Sequence, residues 1–261
     1  IGDTCNDSDP NTINDQIDQN CACTGTPLMN NSVCSRINSS PDDAEEKANG
    51  TVSLTSSDLE LIFDGTTQTI GLRFTNLNIP QGAIITNADI QFTVDQTDNV
   101  NPCNLEIYGQ ASDNAATFGG NYNISTRPKT ILSATCSPAN WINVGDAGPA
   151  QQTVNIAAVI QEIVNRSGYT ANSAIVTIIQ GTGKRTAKSF NGNSSLAPEL
   201  CVEYYDPPQS LVFNSNSTLV ESGAQLDTLN ENDNKPERNY NPINIYPNPA
   251  TDDITISFRA R

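Results

Sequence analysis

The 261-residue chain holds 29 acidic and 13 basic side chains, a net charge of −16, and no histidine. That charge argues against a nucleic-acid interface, which needs clustered Lys and Arg to neutralise phosphates. The missing imidazole excludes Ser-His-Asp and Cys-His catalysis and the common zinc sites, and 36% hydrophobic residues predict that only part of the chain closes on a core.

Residues 1–34 read as a small Cys- and Asp-rich unit without apolar periodicity. Its run DSDPNTINDQID places Asp7, Asp9, Asn11, the Ile13 carbonyl, Asp15 and Asp18 at positions 1, 3, 5, 7, 9 and 12 of a calcium loop. Four carboxylates and an amide at that spacing can wrap one hard cation. Thr12 stands where such loops carry Gly, and Asp18 where they carry the longer Glu. Calcium is therefore the expected cofactor, in a structural role; the alternative is an acidic solvated loop held by disulfides.

The seven cysteines are Cys5, Cys21, Cys23, Cys34, Cys103, Cys136 and Cys201. None forms a CxxC pair, so disulfides in an oxidising compartment are expected rather than a zinc ribbon. Cys5 and Cys21 bracket the acidic run and can clamp it. The odd count leaves a thiol unpaired or intermolecular, expected among Cys103, Cys136 and Cys201. Residues 35–49, SRINSSPDDAEEKAN, read as a charged linker.

Residues 50–205 carry the strand signals. In TIGLRF, Ile70, Leu72 and Phe74 share a face; in ADIQFTV, Ala88, Ile90, Phe92 and Val94 alternate with polar residues; NLEIYG, SAIVTIIQG and ELCVEYY follow. Period-2 patterning predicts antiparallel strands with one face in a core and one in water. Ile156, Val159, Ile160, Ile163 and Val164 form a single helical stripe, with Asn155 as N-cap. The fold class is mostly β: an antiparallel β-sandwich, of jelly-roll type, with one short amphipathic helix and a disulfide-rich calcium loop at the N-terminus. Ser112–Thr153 is weakly patterned, with a strand near Thr130–Thr135 and the single Trp141, the kind of long loop that often carries function.

Two features of this domain suggest ligand contact. TGKRTAKSF supplies the main basic cluster, Lys184, Arg185 and Lys188, suited to anionic groups such as acidic sugars or, structurally, to a hairpin with paired charges. Trp141, with Tyr122, Phe118 and Tyr169, offers aromatic faces for sugar stacking or, structurally, core anchors. Glu106, Asp89 and Glu203 lie on strands, and nothing in the sequence sets two of them across a cleft as a glycosidase needs. Residues 206–245 read as a flexible linker and 246–261 as the start of a further strand pattern. No stretch approaches the ~20 apolar residues of a membrane helix. No signal peptide is visible, and the chain is expected to be a piece of a longer precursor.

Three segments resemble known families. CNDSDPNTINDQIDQNCACTGTP resembles thrombospondin type 3-like calcium repeats of secreted bacterial proteins. IGLRFTNLNIPQGAIITNADIQFTV, NLEIYGQASDNA, PANWINVGDAG and VNIAAVIQEIVNRSGYTANSAIVTIIQGTGKRTAKSF resemble DNRLRE jelly-roll domains, related to alginate-type carbohydrate-binding modules. That resemblance implies a β-sandwich and glycan binding. IYPNPATDDITISF, through Tyr246, Pro247, Asn248 and Pro249, resembles the start of a type IX secretion sorting domain. It implies export across the outer membrane of a Gram-negative bacterium, then release or surface attachment.

The expected function is thus a non-catalytic secreted or cell-surface module that contacts polysaccharide or extracellular matrix. The alternatives are a self-associating subunit of an extracellular filament or surface assembly, and an accessory part of a larger polysaccharide-degrading enzyme.

Overall fold

The computed structural model describes residues 2–9, 12–27 and 29–206, and the backbone of 243–245 and 254–256. The chain separates into one unit at residues 1–210 and another at 211–261. The first begins with a hairpin of β1 (Thr12–Ile17) and β2 (Cys23–Pro27), followed by β3 (Asn30–Arg36) and β4 (Asp43–Lys47). Then come β5 (Val52–Ser53), β6 (Asp58–Leu61), β7 (Phe63–Asp64), β8 (Thr66–Phe74), β9 (Ile84–Gln91) and β10 (Val94–Gln110). β11 (Lys129–Cys136), helix α1 (Ala157–Val164), β12 (Ile175–Lys188) and β13 (Glu199–Tyr205) complete it. Among the described residues, the second unit shows one antiparallel strand pair, β14 (Ile243–Ile245) with β15 (Ile254–Ile256).

Apart from the two-stranded pairs β1-β2 and β14-β15, the strands build two antiparallel sheets. The larger runs β11-β10-β12-β8-β4-β5, with β6 on β12 and β7 on β8; the smaller runs β3-β13-β9. Their facing sides share one core. Ile70, Leu72, Phe74, Leu105, Ile107, Ile175 and Ile179 come from the larger sheet, and Ala88, Ile90, Leu200 and Val202 from the smaller. This is the expected sandwich. Each fully buried aliphatic or Phe side chain contributes about 1.5–3 kcal/mol. The helical stripe Ile156, Val159, Ile160, Ile163 and Val164 enters the same core. Its docking needs Gly109 on β10, since a Cβ there would lie 2.6 Å from Ile163 Cδ1. The N-cap is Ile156 rather than the expected Asn155; Asn155 Oδ1, one residue earlier, accepts from Ala157 N–H at 2.8 Å and from Ala88 N–H at 3.1 Å and so pins the helix start to β9.

The expectation of one wet face per strand fails for the larger sheet. Ile175, Val176, Thr177, Ile178 and Ile179 are all fully buried, because loop 111–128 lays Ala115, Phe118 and Ile124 over Ala44, Val176 and Ile178 on the far side. Gly71 makes room for the Phe118 ring, 2.5 Å from where a Cβ would stand.

The reading of 35–49 as a linker is also corrected: β3 belongs to the smaller sheet and β4 to the larger. Composition assigned these acids to water, but each has a dedicated donor, as buried charge requires. Asp42 takes Arg73 Nη1 at 3.0 and 3.1 Å, and Asp43 takes Phe190 N–H at 2.6 Å. Glu45 takes Glu60 N–H at 2.9 Å, and Glu46 takes Ile124 N–H at 2.7 Å and Ser125 N–H at 3.1 Å, tying down the covering loop.

The disulfides are Cys5–Cys23 and Cys34–Cys201. Cys5 thus closes on Cys23 rather than Cys21. Cys34 and Cys201 face each other across β3 and β13, so Cys34 belongs to the sandwich and not to the N-terminal module. Cys21, Cys103 and Cys136 are free. Most of the 206–245 linker and Tyr246–Pro249 fall outside the described residues.

Candidate functional site

Asp7 and Asp9 precede β1, Asp15 lies on it, and Asp18 opens the turn to β2. Asp7 N–H donates to Asp15 Oδ2 at 3.1 Å, Asp9 N–H to Asp7 Oδ1 at 2.8 Å, and the Thr12 hydroxyl to Asp7 Oδ1 at 3.2 Å. Asp15 Oδ1 is buried without a hydrogen-bond donor. Asp18 instead caps the hairpin turn, accepting from Asn20 N–H at 2.8 Å and Ala22 N–H at 2.9 Å; the Ala22 and Asn20 bonds hold its carboxyl below the usual range. Backbone-to-carboxylate hydrogen bonds link Asp9 to Asp7 and Asp7 to Asp15, while Asp18 serves the turn. Ile13 lies in the strand ladder opposite Thr26, and Asn11 falls outside the described residues. Among the described residues no three metal-ligating side chains converge.

Of the basic cluster, Arg185 is 2% exposed. Its guanidinium donates to the carbonyls of Ala139 at 2.8 Å, Pro138 at 2.6 Å and Lys184 at 2.6 Å, and to Asn101 Oδ1 at 2.9 Å. Lys184 pairs with Asp98 at 2.6 Å, and Lys188 pairs with Asp95. Trp141 is 2% exposed; its ring packs on Phe92 with centroids 6.3 Å apart, and its indole N–H donates to Ala150 O at 3.3 Å. Phe118 and Tyr169 are likewise buried, whereas Tyr122 is 54% exposed.

The two loop segments that Arg185 and Trp141 hold by hydrogen bonds line an open groove of about 300 Å³. One wall, Ser137, Pro138 and Ala139, follows the end of β11 and is fixed by the Arg185 bonds to the Pro138 and Ala139 carbonyls. The other, Pro149, Gln152 and Thr153, follows a 3₁₀ turn at Pro149–Gln151 that hangs on the Trp141 indole through Ala150 O. Thr153 is stitched to β9: Ile90 N–H donates to its hydroxyl at 3.0 Å, and its own N–H donates to Ile90 O at 3.1 Å. The lining holds hydroxyls, amides, backbone and proline rings, with the Cys136 thiol as its one titratable group. The same loop exposes Ile142 and Val144, 73% and 62%. A rigid, uncharged groove on a strongly acidic chain is suited to a neutral polar ligand that has aliphatic faces.

The sequence pointed to the loop that forms this groove and to the residues behind it, but not to its surface. Pro, Ala, Gln and Thr carry no chemical signature; two prolines in a weakly patterned stretch were the only available sign.

The acidic strand residues are divided between the two sheets. Burial, then hydrogen bonding and repulsion from Glu45, push the Glu60 carboxyl up to about 7, although Lys184 Nζ lies 4.0 Å away. Glu106 bonds the Ser133 hydroxyl at 3.1 Å on the larger sheet, whereas Asp89 and Glu203 lie on the smaller. No helix among the described residues is long and apolar enough to cross a membrane. No protein-family model matches the chain, and no curated protein matches it significantly.

Proposed function

We propose that this chain is a non-catalytic extracellular binding module whose ligand is a neutral polysaccharide, held in the groove between residues 136–139 and 149–154. The carrying observation is the groove itself: preformed, uncharged and lined by Ser137, Gln152 and Thr153 beside two proline rings. Hydroxyls and amides match sugar hydroxyls, and aliphatic ring edges match the C–H faces of a pyranose. Acidic sugars fit less well, because Lys184 and Lys188 are already paired and Arg185 is buried. Two disulfides fit a secreted, surface-exposed protein. Export by a type IX route, with surface attachment, and structural calcium on the acidic run 7–18 belong to the same reading.

Affinity electrophoresis of the purified chain through gels containing neutral or acidic polysaccharides tests it. Retardation by a neutral polymer, reduced at least tenfold by Ala139→Trp, is expected. No retardation by any neutral polymer contradicts the proposal.

A second reading, a self-assembling surface subunit, is favoured by the exposed thiol of Cys21 and the 92%-exposed Ile131 on the edge strand β11. Light scattering with and without reductant separates the two: a monomer in both conditions argues against assembly.

A further inference from the structure

Two of the three free thiols lie on one side of the larger sheet. Cys136, the last residue of β11, stands directly opposite Leu105 of β10. Cross-strand partners share a face, and so do residues two apart along a strand. Cys103, two residues before Leu105, therefore points the same way as Cys136. The burial agrees: Cys103 and Leu105 are each 4% exposed in the core between the sheets, and Cys136 packs against that core. Burial raises both thiols above their ordinary pKa; Arg185 partly offsets this at Cys103 while Cys136 adds to it, and a backbone hydrogen bond from Val154 partly offsets it at Cys136.

Such diagonal neighbours have Cα atoms about 7–8 Å apart, with side chains closer, and a disulfide needs about 4.4–6.8 Å. The residual gap of roughly 1 Å falls where the ladder is loosest. Cys136 ends its strand, and β10 slips register against β12 between Val100 and Asn104, the segment that contains Cys103.

We infer that Cys103 and Cys136 form a third disulfide when the chain meets a disulfide oxidant, leaving Cys21 as the single cysteine without a partner in the chain. Cys136 reacts first, because it borders the open groove while Cys103 lies behind it. The Cys136 thiolate attacks oxidised glutathione, breaking its S–S bond and releasing one glutathione thiolate, which takes up a proton. The Cys103 thiolate then attacks the Cys136 sulfur and expels the second glutathione. Two protein thiols are oxidised and one glutathione disulfide is reduced to two thiols. The new bond ties β10 to β11 beneath the groove, whatever the groove holds.

The test is peptide mapping of the full chain, equilibrated with excess oxidised glutathione, then unfolded and alkylated without reductant. The expected result is a linked peptide pair containing Cys103 and Cys136, about 2 Da lighter than the two thiol peptides and free of glutathione, while the exposed Cys21 carries either glutathione or the alkyl group. In Cys103→Ala no thiol resolves the mixed disulfide, and Cys136 is recovered with glutathione attached. Alkylation or glutathionylation of both Cys103 and Cys136 in the oxidised wild type, or a linkage of either to Cys21, overturns the inference. The wild-type peptide pair decides even if the variant does not fold.

Discussion

Replacing Arg185 by Met keeps most of the aliphatic stem and removes every donor. Four acceptors at 2.6–2.9 Å lose their partner: the Pro138, Ala139 and Lys184 carbonyls and Asn101 Oδ1. Hydrogen bonds to a charged donor are worth about 1.5–3 kcal/mol each, and an orphaned buried acceptor costs a similar amount. Two effects reduce the sum: the guanidinium's own desolvation penalty disappears, and acceptors facing the groove regain water. A net loss of about 3–4 kcal/mol remains, which lowers Tm by roughly 10 °C for a domain of this size. Lys47→Met is the control, since its exposed pair with Asp64 is worth about 0–1 kcal/mol. Urea denaturation and calorimetry of the two variants, side by side, measure the difference. If Arg185→Met stays within about 1 kcal/mol of wild type, or loses no more than Lys47→Met, Arg185 does not hold the groove wall and the frame argument fails.

The Glu60 carboxyl is raised from 4.5 to about 7, so the folded chain binds its proton more tightly than the unfolded chain does. Its stabilising contribution is complete below the lower value and lost as pH rises through the upper one. Glu60→Gln should flatten the stability profile across that window and leave the variant about 1–2 kcal/mol the more stable at roughly pH 8, read from urea midpoints. An unchanged slope refutes this. Cys34→Ser removes a bridge spanning 167 residues and should cost about 2–5 kcal/mol, seen as a lower denaturation midpoint without reductant; a midpoint equal to wild type counts against the bridge. Glu46→Ala frees the Ile124 and Ser125 amides. Hydrogen exchange should speed across residues 115–127 while β10 and β12 stay protected, and uniform loosening would show that the covering loop is not a separate layer.

The strands were legible where alternation was clean, as in Ile70, Leu72 and Phe74 or Ala88, Ile90 and Phe92, and the helix where five aliphatics shared one stripe. The continuous run Ile175–Ile179 already carried the sign of a strand covered on both faces. Its cover was hidden because loop 111–128 supplies Phe118 and Ile124 without any period. The acids of β4 misled for a related reason: burial depended on Arg73, Phe190 and Ile124, far away in the chain. Composition gives the cost of a buried carboxylate but not the donors that offset it. At the groove the sequence showed the frame, Trp141 and Arg185, as chemically distinctive residues; the surface they position is uncharged and carries no pattern.

Hydrogen exchange of the whole chain, with and without a neutral polysaccharide that retards it, tests the binding assignment most directly. Slowed exchange confined to residues 136–141 and 148–154 is the outcome expected of a ligand seated in the groove. Protection centred on the N-terminal hairpin, on Tyr122 or on the Lys184–Lys188 strand would move the binding surface elsewhere and contradict it.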